Sequence, residues 1–220
     1  MQLTWASCSL AVIIVASGII PLKQLDGSQK TLSIRHGKIS IHKVNKARMS
    51  GALMAASPNR ILYRIGGSVL TGVTKVYIVT VPDHYSLGKI LSGPNISDLI
   101  YRRILSGQLP SDPNGIYLML SSADVKESFS SSLSFCKEYC GYHNKFSAGT
   151  KTYIYGFIGH PKQCPNLCLP RNRNVSPNGD PGVDAMLNAA VHEIMEAMSN
   201  PLMNSWYDAT TERCENADLW

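Results

Sequence analysis

His192, Glu193 and Glu196 are the residues whose types and spacing most directly suggest chemistry. In HExxH zinc sites the first and fifth positions bind the metal and the second is the general base. Here the fifth position is Glu196, so the pattern reads HExxE, with His192 and Glu196 as ligands and Glu193 as the base that activates water. Zinc accepts both imidazole nitrogen and carboxylate oxygen. A third ligand must come from elsewhere, and the nearest candidates are Glu212, Glu215 and Asp218 in the acidic tail. The same spacing also describes an ordinary solvated His–Glu pair one helical turn apart, so both readings stay open.

The element that must carry these residues is a helix over 182–200. Asp180 can cap its start, Pro181 suits the first helical position and Pro201 forces a stop. At about 100° per residue, Val183, Leu187, Ala190, Val191, Ile194 and Met198 fall in one apolar stripe, which predicts the buried side. His192 and Glu196 lie nearly opposite, accompanied by Ala185 and Ala189, on a face that could be wet or admit a close neighbour.

Upstream, the run 75–81 reads as a strand ended by Pro82, and 115–120 reads as a second, buried strand. Between them 97–107 has helical periodicity, with Ser97 as cap and Gly107 at the exit. Strand, helix and strand in this order predict a right-handed βαβ unit. Residues 121–134 are serine-rich and predict a segment that begins as a surface loop, 151–158 a third strand with a bulge or close packing at Gly156, and 161–181 a long proline-punctuated loop. The expected fold class is α/β: a mixed or mainly parallel sheet with a βαβ unit, a zincin-like HExxE helix and disulfide-stapled loops.

The chain has 220 residues, 44% of them hydrophobic, enough for a real core. Its formal charge of +6 is scattered. No base-reading module or aromatic platform accompanies those charges, so nucleic acid is not an expected partner. The run 8–20 is apolar or small, too short for an ordinary membrane span and suited to the apolar region of a secretion signal. The expectation is a signal peptide over 1–22 followed by a single domain over 23–220, exported without stable membrane insertion. A buried N-terminal strand or helix is the alternative.

Cys136, Cys140, Cys164 and Cys168 form two CxxxC units, while Cys8 would leave with the signal and Cys214 has no evident partner. Four thiolates can bind structural zinc, but in an exported chain disulfides are the stronger expectation, with three connectivities open. Asn95 and Asn174 head N-glycosylation sequons. No nucleophile elbow or phosphate loop is present.

Several collinear blocks carry a family likeness: Phe135-Cys-Lys-Glu-Tyr-Cys-Gly-Tyr-His143, Tyr153-Ile-Tyr-Gly-Phe-Ile-Gly159, Gln163-Cys-Pro-Asn-Leu-Cys168, Pro177-Asn-Gly-Asp-Pro-Gly-Val-Asp184 and Ser199-Asn-Pro201. With Tyr85-Ser-Leu-Gly88 and 117–125 in the same order, the chain resembles the EXORDIUM or phosphate-induced protein 1 family over about residues 76–208. The resemblance implies a secreted protein of the plant apoplast and cell wall, associated with growth and cell expansion. Many plant members lack the HExxE residues. A subset resembles this chain in His192-Glu193-Ile-Met-Glu196, Trp206-Tyr207 and an acidic Glu-x-Ala-Asp segment matched by Glu215-Asn-Ala-Asp218. On that likeness Asp218 is the favoured third ligand and Glu215 the reserve. Trp220 stands where members of the subset tend to have a cysteine, and the chain stops where the family commonly continues.

The leading expectation is therefore a secreted apoplastic protein with a role in growth and an unknown protein or cell-wall polysaccharide as partner. The alternative is a zinc metallopeptidase-like hydrolase using the HExxE site. Exposed Trp206 and Tyr207 with nearby basic residues would serve a polysaccharide-binding role.

Overall fold

The computed structural model describes residues 61–79, 85, 87–170 and 174–208, together with the backbone of 13–16, 35–36 and 40–43. Twelve strands and three α-helices are defined there. In chain order they are β1 (Ile13–Ala16), β2 (Arg35–His36), β3 (Ser40–Lys43), β4 (Ile61–Tyr63), β5 (Lys75–Val79), β6 (Ile90–Ser92), α1 (Gly93–Leu105), β7 (Ile116–Leu120), β8 (Lys126–Ser130), β9 (Leu133–Ser134), β10 (Tyr139–Ala148), β11 (Lys151–Ile158), α2 (Pro165–Cys168), α3 (Pro181–Ser199) and β12 (Trp206–Asp208).

The central sheet runs β1-β5-β7-β11-β10-β2, with β3 also on β10. Strands β1, β5, β7 and β11 are mutually parallel, and β10 closes onto β11 as an antiparallel hairpin. The sheet is thus mixed α/β, and β5, α1 and β7 form the expected parallel crossover. Ile13–Ala16, which lie in the apolar run read as a signal, pair here with β5.

Alternation along the strands separates two faces. Tyr77, Tyr117, Tyr142, Phe146, Tyr153, Tyr155 and Phe157 point to one side and pack with Ile96, Leu99, Ile100 and Ile104 of α1. Val76, Leu118 and Ile158 point to the other, beneath Ala189 and Ala190 of α3, and Ile116 and Ile154 meet Ala197. Two smaller sheets, β6-β8-β9 and β12-β4, flank this three-layer body.

Two expectations, the start of α1 and the unbroken loop over 161–181, are corrected. Helix α1 begins at Gly93, where Ser92 caps it by accepting from the Asn95 amide; Ser97 lies inside and bonds back to the Pro94 carbonyl. The serine-rich segment begins in a loop over 121–125, as expected, and continues into β8 and β9, where β6 offers a parallel edge at 126–128. The loop over 161–181 contains a 3₁₀ turn and α2. Of the two expectations at Gly156 it is close packing that holds: the β10–β11 register runs through it unbroken, and an added Cβ would come within 2.9 Å of Leu118 Cδ1.

A candidate metal centre between β10 and α3

Helix α3 forms as its terminal residues dictate. The Asp180 carboxylate accepts from the amides of Gly182 and Val183, and the Asn200 amide donates to the Glu196 carbonyl. Asn200 is itself buried, its Oδ1 accepting from the Ser205 amide and hydroxyl. From β10, the Lys145 ammonium donates to the Leu202 carbonyl just beyond the helix.

The face that α3 buries coincides with only half of its apolar stripe: Ala190, Ile194 and Met198 pack on the sheet, but Val183, Leu187 and Val191 do not. Leu187 is 53% exposed and Val191 61%, with Val183 and Met195 also outside, whereas Ala185, Ala189, Ala190, Glu193, Glu196 and Ala197 are buried. The reason is room. Alanines of the helix pack on Val76, Leu118, Ile158, Ile116 and Ile154 of the sheet, and a Cβ at Gly141 would stand 2.8 Å from Ile158 Cδ1 and 3.4 Å from Glu193 Cγ. At Gly141 there is no room for a larger residue on the strand, and the carboxyl groups are accepted because a partner waits on the sheet.

That partner is His143, which faces Gly156 across the β10–β11 pair. Its Nδ1 lies 3.3 Å from Glu193 Oε2 and 3.5 Å from Glu196 Oε2. His143 and Glu196 are 0% exposed and Glu193 is 1%. His192 sits at the edge of the cluster, its side chain 18% exposed and its Nε2 3.6 Å from Glu196 Oε1.

Electrostatics makes this set self-consistent without an ion. Burial opposes a charged imidazole, but the two carboxyl groups outweigh it and lift His143 to about 10. Burial pushes both glutamates upward. For Glu196 the two histidines reverse this and hold it at about 2, while Glu193 stays raised, with the neighbouring carboxylate adding to burial. An imidazolium between two carboxyl groups, one held low and the other pushed up, keeps the net charge of the cluster small. A divalent cation with a neutral imidazole and two carboxylates is neutral.

The donor set fits a metal. One nitrogen and two carboxylate oxygens lie within 4.8 Å of one another. The 3.3 and 3.5 Å separations match the edge of a tetrahedron with metal bonds of about 2.0–2.2 Å, which is ~3.4 Å. Among the described residues, His143 Nε2 and Glu193 Oε1 are buried without a hydrogen-bond partner, so the apo arrangement leaves polar capacity unused. His143, Glu193 and Glu196 can therefore hold a metal ion.

Of the residues singled out by sequence, Glu193 and Glu196 thus share the cluster and His192 borders it. Asp218, with Glu212, Glu215 and Cys214, lies outside the described residues. The sequence reading missed His143, fifty positions upstream of Glu193. The only hint was its place at the end of the Cys-rich block, and no local pattern pairs it with α3.

The cysteines resolve into Cys136–Cys164 and Cys140–Cys168, joining the start of β10 to α2. Asn95 is exposed in the first turn of α1, and Asn174 is exposed before α3. Trp206 is 36% exposed and faces Tyr63 across β12–β4 at 5.3 Å, and Arg64 lies 4.5 Å over Tyr207. No helix among the described residues is long and apolar enough to cross a membrane.

No solved structure matches the chain. Among curated plant proteins it is similar to EXORDIUM-like 3 of Arabidopsis thaliana, 35% identical over 157 residues covering 64% of this chain and 45% of that protein. EXORDIUM-like 5 of the same plant is 35% identical over 139 residues, 56% of this chain and 37% of the relative. EXORDIUM-like 2 is 29% identical over 157 residues, 64% and 47% respectively. The matches span less than half the length of these relatives. Residues 67–219 match the phosphate-induced protein 1 conserved region, which takes in β10, α2, α3 and the cluster between them, and the chain belongs to that family.

Proposed function

We propose that this is a secreted protein of the plant apoplast with a non-enzymatic role in growth or cell expansion, in which a divalent ion clamps α3 to β10. The export signal is 1–22 and a single domain follows over 23–220. Two disulfides support an oxidising compartment. N-terminal sequencing of the exported protein should begin near residue 23; its removal of β1 would leave β5 as a sheet edge. A cell-wall polysaccharide is the favoured partner, with Trp206 and Tyr63 offering exposed rings.

The observation that carries the clamp is the position of Glu193. Its carboxyl group lies against His143 in a buried cluster, so the group that HExxH chemistry would use as a base is placed to serve as a ligand instead. Catalytic zinc keeps an open position, whereas structural zinc is enclosed. An ion held by His143, Glu193 and Glu196 would supply a cross-link between strand and helix. These residues would orient it, while the alanines and glycines exclude water.

The hydrolase reading is the alternative, favoured by the partial exposure of His192 beside Glu196. There His192 and Glu196 are ligands with Asp218, and Glu193 is the base. Metal analysis of the purified protein and of Glu196→Ala tests both: stoichiometric metal in the first and none in the second is expected. If neither retains metal, the site is a plain ion pair. Cleavage of a peptide library by the zinc-loaded protein, lost in Glu193→Gln with metal retained, would establish the hydrolase instead.

A further inference from the structure

The four bridged cysteines form a second cluster of ligand-type atoms, apart from the His143 site. Cys136 and Cys140 stand four positions apart at the entry to β10, and Cys164 and Cys168 stand four apart across the single turn of α2. The bridges join the units in order, first to first and second to second, with Cα separations of 5.3 and 5.6 Å. This places Cys164 Sγ 3.7 Å from Cys168 Sγ, so all four sulfurs gather in one place. In a zinc tetrathiolate, bonds of about 2.3 Å put neighbouring sulfurs about 3.8 Å apart. The α2 pair already has that spacing.

Hydrogen bonds hold each arm independently of the bridges. The Cys136 amide donates to the Tyr139 carbonyl, and the Ser134 amide donates to Glu138 Oε2. On the other arm the amides of Leu167 and Cys168 donate to the Cys164 carbonyl. Cys140 is buried and the other three are half-buried against the aromatic core, where water competes poorly for a metal.

We propose that, with both bridges reduced, Cys136, Cys140, Cys164 and Cys168 form a tetrathiolate site for zinc or a similar thiophilic divalent ion. The same two segments are then joined by metal in a reducing environment and by disulfides in an oxidising one. Two molecules of a dithiol reductant are oxidised to their disulfides as each protein bridge takes up two electrons and two protons. Metal binding releases the four thiol protons. The staple keeps its place in the fold through the exchange.

The test uses the full chain, reduced anaerobically with a dithiol, desalted and titrated with cobalt(II). Thiolate-to-cobalt charge transfer reports sulfur ligands alone, so binding at His143, Glu193 and Glu196 does not mimic it. The expected result is a saturating charge-transfer band, displaced by zinc, with the near-ultraviolet circular dichroism of the oxidised protein retained or regained. The band should vanish in Cys164→Ser/Cys168→Ser. The proposal is overturned by no band, by an equal band in that variant, or by a band without native near-ultraviolet dichroism, which would mean chelation by unfolded chain.

Discussion

The two sides of the central sheet each bury carboxyl groups, and they stabilise them by different means. On the α1 side Glu127 is 2% exposed and receives the hydroxyls of Tyr139 and Tyr142. Burial lifts it to about 7 against the pull of those two neutral donors. On the α3 side a histidine supplies a full opposing charge, and Glu196 stays low despite equal burial. Dipoles can satisfy a buried carboxylate's lone pairs, but it takes a cation to hold its charge. The first arrangement sits in large aromatic side chains; the second needs glycine and alanine to bring its partners together.

Breaking the charge balance should have the largest effect. His143→Ala leaves Glu193 and Glu196 facing each other in a dry site. We expect a loss of about 3–5 kcal/mol in urea unfolding at neutral pH, and loss of bound metal in elemental analysis. Calorimetry of metal binding to the native protein in buffers of differing ionisation enthalpy should show at least one proton released per ion, the one on His143.

Removing a cross-link is expected to rank next. Cys140→Ser/Cys168→Ser removes the second of two overlapping bridges while Cys136–Cys164 still spans the hairpin, and should cost about 2–3 kcal/mol, read from the same unfolding midpoints. The cost falls on both sides of the sheet, since β10 carries residues to each.

The pH dependence sharpens the comparison. Glu127 is raised in the folded state from 4.5 to about 7, so the folded protein binds more protons than the unfolded one between those values. Its contribution is therefore complete below about pH 4.5 and is lost as pH rises through about 7. Urea midpoints for wild type and Glu127→Gln at pH 5 and 8 should differ in slope, by about 1–3 kcal/mol over the interval. An unchanged slope in the variant would remove Glu127 as its source.

The smallest effect is expected where the helical pattern alone would place a large one. Val191→Ser should change stability by no more than about 0.5 kcal/mol, because Val191 is exposed. A loss of several kcal/mol would restore the stripe as the buried face.

The sequence is most legible where local rules decide. The Asp180 cap, the limits of α3, β11 and the parallel crossover all follow from spacing and end residues. The buried face of α3 follows only in part, because periodicity counts apolar side chains and cannot see that Gly141 stands against Glu193. Strand β10 is hidden in a cysteine-rich run whose pairing with β11, β2 and β3 depends on distant segments. His143 is invisible for the same reason: its role exists only once β10 lies beneath α3.

The paired bridges also have a mechanical consequence. Tension applied through the chain would cross from Cys136 to Cys164 without entering the β10–β11 hairpin, so the 28-residue span between them is withheld from extension. That shelters roughly 90–100 Å of contour length. One bridge would leave the hairpin free to pivot about a point, but two side by side resist both stretching and rotation. His143 hangs from the strand inside that loop, so the strand half of the cluster should keep its shape under loads that peel α3 away.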